Sequence, residues 1–360
     1  MNRLHRITRL LALPALLAAA TPVAAQSPGS EYDGAAALGL SLRRLGSTQR
    51  VLMIAAHPDD ENTAVLSSLA LGSGADVAYL ALTRGEGGQN GIGAELQEAL
   101  GLIRTEELLA ARRLDGARQF FTRAYDYGFS KSAEEAFQHW PKDAVLADVV
   151  AVIRRFRPDV VIAIFSGTPA DGHGQHQASG IVAREAFAAA GDPARFPEQL
   201  ASGLRPHRPA RLYQASWRGA TGEGARLETG AYDPLLGRSH YQVAMASRSR
   251  HRSQDMGQAL TPGSRPITLQ YIAGQTAAPG SSPFAGLDTT LSARAKSLGM
   301  TRDSLSALLA AYDAAVPRLR SAFTPLASGR LVPELATALR TLERADAIAA
   351  RYNTQAAAEL

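Results

Sequence analysis

Val51 to Asn62 reads V-L-M-I-A-A-H-P-D-D-E-N: six apolar residues run straight into His57, Pro58 and the three acids Asp59, Asp60 and Glu61. An apolar run this short, with no polar alternation, fits a strand covered on both faces, as central strands of parallel sheets are. A histidine and three carboxylates on the tip of such a strand need a reason beyond ending it.

The same rhythm continues outward. A helix-like D-E-N-T-A-V-L-S-S-L-A-L-G leads to a second apolar run, D-V-A-Y-L-A-L-T, then to a glycine-rich loop, R-G-E-G-G-Q-N-G-I-G, from Arg84 to Gly93 and a long helix-like stretch to about Asp115. Lys142 to Arg157 reads as an amphipathic helix, and Asp159 to Phe165, D-V-V-I-A-I-F, is the most strand-like run in the chain, ending in S-G-T-P-A-D-G-H-G-Q-H-Q. Alternation of short apolar runs with longer amphipathic ones marks parallel βα units, so the expected fold is α/β: a Rossmann-like, mostly parallel sheet flanked by helices. Past Gly191 a proline-rich surface connection leads to strand-like R-L-Y-Q-A-S-W and P-I-T-L-Q-Y-I, with helix-like Y-Q-V-A-M-A-S-R-S-R-H-R between them. From Leu287 the pattern becomes purely helical and predicts a C-terminal helical appendage, an α-hairpin turning near Ser328-Gly329. The expected domains are therefore 50–275 and 276–360, without internal repeats.

The first residues carry Arg3, Arg6 and Arg9 ahead of a short apolar run and V-A-A, the pattern of a secretory signal peptide over residues 1–25 with the mature chain starting at Gln26 and a linker over 26–49. This predicts an exported protein, periplasmic or extracellular, with no stable membrane insertion after cleavage, since no later segment is apolar enough to span. The chain has no cysteine, so neither a disulfide framework nor a lipidated N-terminus is available. The formal charge of +5 includes those three arginines, leaving 38 − 3 = 35 basic against 33 acidic residues, which gives a nucleic-acid partner little support.

In open parallel sheets ligands gather beyond the carboxyl ends of the strands. His57-Pro58-Asp59-Asp60-Glu61 sits at one such end, and Asp171-Gly172-His173-Gly174-Gln175-His176 at another. If the two strands are neighbours, two imidazoles and a carboxylate face each other across one crevice, a donor set suited to one divalent transition metal, zinc above all. A-H-P-D-D-E after the first strand, T-R-G-E-G-G after the second and the later H-x-x-H resemble the PIG-L/LmbE family of zinc-dependent N-deacetylases, and S-R-H-R-S-Q is similar to a further family signature. The resemblance covers about Arg50 to Gln254. It implies that His57, Asp60 and His176 bind Zn2+, that Asp59 is the general base, that His173 assists the reacting carbonyl, and that Arg84, Glu86, His251 and Gln254 lie by the substrate.

Elementary chemistry agrees with that division. Neighbouring residues on an extended tip point to opposite sides, so Asp59 and Asp60 do not readily share one ion, and one is left to take a proton from an activated water. His173 and His176 share a face if a helix starts there, and a helix N-terminus favours an oxyanion. Plainer roles compete: Asp59 or Asp60 as a cap of the following helix, Glu61 as a first-turn acid complementing its dipole, and His251 and Gln254 as a polar helix face. His139, His207 and His240 read as surface or packing residues. The resulting expectation is an exported zinc hydrolase that removes an N-acetyl group from an amino sugar or glycoconjugate. The alternatives are an amidase for a non-sugar N-acyl amine and a non-catalytic, metal-dependent carbohydrate-binding protein.

Overall fold

The computed structural model describes residues 31–215, 223–275, 280 and 282–352. The signal peptide expected over 1–25 and the start at Gln26 lie outside them. The strands are β1 (Arg50–Ala55), β2 (Asp76–Ala81), β3 (Arg118–Phe121), β4 (Val160–Ala163), β5 (Arg211–Gln214), β6 (Gly224–Glu228), β7 (Tyr232–Asp233), β8 (Arg238–Ser239) and β9 (Pro266–Gly274). The helices are α1 (Gly34–Arg44), α2 (Thr63–Ser67), α3 (Glu98–Asp115), α4 (Ala133–His139), α5 (Lys142–Phe156), α6 (Gly174–Ala189), α7 (Pro197–Ala201), α8 (His240–Arg248), α9 (Leu291–Ser297), α10 (Asp303–Ser321) and α11 (Val332–Ala349).

Among the described residues seven strands form one sheet in the order β3-β2-β1-β4-β5-β9-β6. The five from β3 to β5 run parallel, and β9 and β6 close the edge antiparallel. The opening stretch explains itself here. Leu52 and Ile54 of β1 pack in one layer with Val145, Leu146 and Val149 of α5 and Val182 of α6. Val51, Met53 and Ala55 face the other way, onto Val65 and Leu66 of α2 and Leu108 of α3. Both faces of the strand are core, so it shows no alternation. Leu52, Met53 and Ile54 are buried, and each contributes about 1.5–3 kcal/mol of transfer free energy.

Three expectations need correction. Within the expected linker 26–49, the described part is not simply a linker: α1 buries Leu40 and Leu42 and hydrogen-bonds through Arg43 to Asp233, because Leu40 packs with Leu71 and Val243. The proline-rich connection after Gly191 contains the short α7. The helix read after β1 is five residues of α-helix continued by a wider π turn over Ser68–Gly72. The helical appendage is present, with α10 and α11 packed through Leu305, Leu309, Ala345 and Ala349.

β1 and β4 are direct neighbours, Val51 opposite Val160 and Ile54 opposite Ala163. From β1 the chain winds outward through β2 and β3, and then returns to β4 on the other side. That reversal opens a crevice above the strand ends, and both polar clusters sit on its rim.

Candidate metal and catalytic site

The turn after β1 is built from its own side chains. Asp60 Oδ2 accepts the His57 N–H at 2.7 Å, and Asn62 caps α2 by accepting from Val65 N at 3.2 Å. Neither Asp59 nor Asp60 is the cap. On the far side His173 is the N-cap of α6. A Cβ on Gly174 would lie 2.2 Å from Ser132 O, and one on Gly180 2.3 Å from Gly167 N, so both glycines let α6 approach the loops that bring its first turn over β1.

His57, Asp60 and His176 thereby converge. One ligand atom from each lies within 4.8 Å of the others, with Asp60 Oδ2 3.2 Å from His57 Nδ1 and Asp60 Oδ1 3.4 Å from His176 Nε2. The outer nitrogens are tied down. The Gln175 amide donates through Nε2 to Asp126 Oδ1 (3.1 Å) and Gly128 O (2.8 Å), which fixes its Oε1 toward His57 Nε2 at 2.8 Å. His57 must donate from Nε2, leaving Nδ1 for the cluster. His176 Nδ1 faces Asp171 O at 3.4 Å, and its ring stacks on Phe165 at 4.0 Å, so Nε2 points inward. Imidazoles oriented through their second nitrogen are typical of metal ligands.

The electrostatics fit a cation. Burial alone would lower the pKa of His57, but Asp60 and then Asp126 outweigh it and push it up to about 9. Asp60 is held well below the usual carboxylate range, His176 and His57 overcoming the effect of burial. The field that keeps a proton on His57 equally attracts a divalent ion, which must displace that proton to use Nδ1.

Asp59 turns away from Asp60, although not by the extended alternation expected from the sequence: its φ is +99°. Its Oδ1 accepts from Arg104 Nη2 at 3.0 Å. Burial raises its carboxyl to about 6, with Arg104 opposing and Asp60 adding to the rise. His173 lies between Phe129 and His57, ring centroids 5.2 and 5.3 Å away. Burial first, then the neighbouring His57 and His176, push its pKa down to about 4. Its Nδ1 is engaged by the Ser130 segment and the start of α6, with Ser130 O and Oγ at 3.3 Å and the amides of Ser130 and Gln175 at 3.4 Å, so the ring is held with Nε2 as its free edge.

The structure places Glu61 and His251 in a different setting from the one expected. Both are fully buried. Glu61 Oε1 meets His251 Nε2 at 2.8 Å and Arg112 Nη2 at 3.0 Å; Arg112 also binds Asp115, which accepts from Ser247 Oγ at 2.8 Å. Burial raises the pKa of Glu61, yet His251 and Arg112 hold it at about 2. Glu61 is thus part of an internal ion cluster rather than a first-turn acid. His251, enclosed on all sides, is not positioned to touch substrate.

The other proposed substrate contacts divide. The Arg84 guanidinium lies 4.0 Å over the Phe121 ring and donates to Thr105 Oγ1, so it serves the packing of β3 and α3. Gln254 donates to Gln89 O at 2.8 Å and braces the glycine loop. Glu86 accepts from Asp126 N at 3.1 Å and lines a cavity of about 540 Å³ with Leu96, Tyr125 and Asp126; the same Asp126 lies 3.9 Å from His57 Nε2. Sequence reading missed Gln175, Asp126 and Arg104. The strand-tip rule that found His57 would have found Asp126, which follows β3 as A-Y-D-Y. Nothing local distinguishes Arg104 within its helix.

Residues 52–187 match the family model described as PIG-L: GlcNAc-PI de-N-acetylase. The chain is 35% identical over 170 residues to 1D-myo-inositol 2-acetamido-2-deoxy-alpha-D-glucopyranoside deacetylase of Rhodococcus opacus (strain B4), with 42% of this chain and 57% of the relative covered. It is 32% identical over 167 residues to diacetylchitobiose deacetylase of Thermococcus kodakarensis, covering 44% of this chain and 57% of that one. The chain therefore spans a little over half the length of these relatives. Among solved structures, N,N'-diacetylchitobiose deacetylase from Pyrococcus horikoshii is similar at a TM-score of 0.46 and 21% identity, over 60% of this chain and 73% of that one.

Proposed function

We propose that the protein is an exported, zinc-dependent N-deacetylase acting on a 2-acetamido-2-deoxy sugar or its glycoconjugate. The observation that carries the proposal is the convergence of His57, Asp60 and His176 within 4.8 Å, beside a carboxylate and an imidazole that stay out of the ligand set. The match to the PIG-L family model and the amino-sugar deacetylases among the chain's relatives support the substrate class. The arginine-led apolar run of residues 1–25 supports export.

Three protein ligands, two imidazoles and one carboxylate, suit zinc with a position left open. The ion supplies a Lewis acid that polarises an amide carbonyl and acidifies water. Asp59 takes the proton from the attacking water and returns it to the departing amine. The C–N bond breaks, yielding acetate and the free amino sugar. Neutral His173 presents Nε2–H to the carbonyl oxygen as negative charge develops there, at the positive end of α6. Phe129 and His57 flank its ring and hold it in that plane.

The test is Asp59→Asn, which keeps shape and ligands while removing the proton acceptor. Acetate release from an N-acetylglucosamine glycoside by the zinc-loaded protein is expected to fall about a hundredfold or more, with KM nearly unchanged and metal content equal to the parent. Unchanged turnover would refute the assignment of Asp59, and a parent protein inert on acetylated sugars but active on acylated amino acids would move the substrate class.

A further inference from the structure

Asp59 is one of five non-glycine residues with positive φ among the described residues, and at +99° it lies furthest from the left-handed basin that the others occupy near +55°. A branched-at-Cα residue rests there only when its surroundings over-determine it, and such residues gather at functional sites. The N–H, the carbonyl and one carboxylate oxygen of Asp59 are each held by another side chain. Its N–H donates to Glu61 Oε2 at 2.8 Å. Its carbonyl accepts from Arg248 Nη1 of α8 at 3.1 Å, and its Oδ1 from Arg104 Nη2 of α3 at 3.0 Å. Arg104 also binds the carbonyl oxygens of Pro58 and Gly85, so one guanidinium ties the β1 tip to the glycine loop.

The far ends of this clamp are rigid. Glu61 is anchored by Arg112 and by His251, all three buried. Arg104 is only 3% exposed. From these contacts we infer that Arg104, Arg248 and the Glu61–His251 pair are positioning residues, which force Asp59 into a conformation it would not adopt alone and so aim its carboxylate away from the ligand Asp60. The inference rests on Asp59 being the base proposed above. It also gives His251 of the S-R-H-R-S-Q stretch a role: it acts through Glu61 on the backbone of Asp59, two hydrogen bonds away.

The experiment compares Arg104→Gln, Arg104→Lys and the parent, all zinc-loaded, for kcat, KM, metal content and the crystal structure around Asp59. Arg104→Gln is expected to lower kcat about tenfold or more with KM within threefold and metal content unchanged, while Asp59 relaxes to negative φ or its carboxylate loses its single orientation. Arg104→Lys, which keeps a cation, is expected to recover part of kcat. Parent-like kcat in Arg104→Gln, or a loss of kcat with Asp59 unmoved, overturns the inference. Should that buried variant not fold, Arg248→Gln at a half-buried position is read in the same way. If the parent deacetylates no sugar, the proposed function fails while the clamp is still tested by the crystal structures and by stability. Asp59→Gly is then expected to melt above Asp59→Ala, because only glycine is at ease at this φ, and the reverse order overturns the claim that Asp59 is strained.

Discussion

Two clusters of carboxylate and imidazole grow from the same five residues after β1, and they differ in one respect. Asp60 gathers His57 and His176, and among the described residues it pairs with no lysine or arginine. Glu61, one residue on, gathers His251 and Asp115 around the guanidinium of Arg112. In the second cluster the chain supplies its own positive charge, so both acids are paired internally and the site is closed. In the first the donors point inward at one another, which is stable only with a proton or a metal among them. A group of acids and histidines is a ligand site when the fold leaves its cation out.

The largest expected effect comes from opening the first cluster. His176→Ala leaves two protein ligands, and the variant should lose bound zinc and fall to background activity; because the lost ring also stacks on the core residue Phe165, its metal-free melting temperature should lie slightly below that of the metal-free parent. Elemental analysis and calorimetry on one preparation check this, and full occupancy would remove His176 from the ligand set.

Arg112→Met does the opposite, removing the built-in cation and leaving Glu61 and Asp115 buried without it. Breaking a buried pair from one side costs about 3–5 kcal/mol. Urea unfolding at neutral pH should show a loss of that size, whereas a parent-like midpoint would mean that the second cluster adds nothing to stability.

Acid separates the clusters more gently. Glu61 has its pKa held at about 2 in the fold, below the ordinary value near 4.5, so its pairing stabilises the protein above that ordinary value and the contribution fades as pH falls toward 2. Asp115, raised by burial despite the same Arg112, works against it and shrinks the net slope. Thermal melts of the parent from pH 5 to 2.5 should fall more steeply than those of Glu61→Gln; parallel curves would contradict the shift.

The smallest effect belongs to Arg84→Ala. With its guanidinium over Phe121, the change should cost about 0.5–1 kcal/mol and leave turnover within twofold. A large rise in KM would restore Arg84 as a substrate contact.

Much of the arrangement was legible because the signals were local. The uniform apolarity of Val51–Ala56 announced a strand covered on both faces, and polar residues at its tip announced the ligand edge. The order of strands was not legible: nothing in either run says that β4, rather than β2 alone, lies beside β1, and without that pairing His176 and Asp60 are more than a hundred residues apart. The histidines misled for the same reason. His176 and His251 both stand in polar, motif-like surroundings, and burial alone separates one that faces an open crevice from one sealed against Glu61.

The sequence by itself determined which residue types stand at the strand ends, the parallel βα rhythm and the donor set, since these follow from periodicity and from chemistry carried within a few residues. Only the tertiary structure decided which acid is left without a cation. Arg112 and Arg104 reach Glu61 and Asp59 from a helix some fifty residues away, and whether a carboxylate binds a metal, takes a proton or balances an arginine depends on the charge that folding brings next to it.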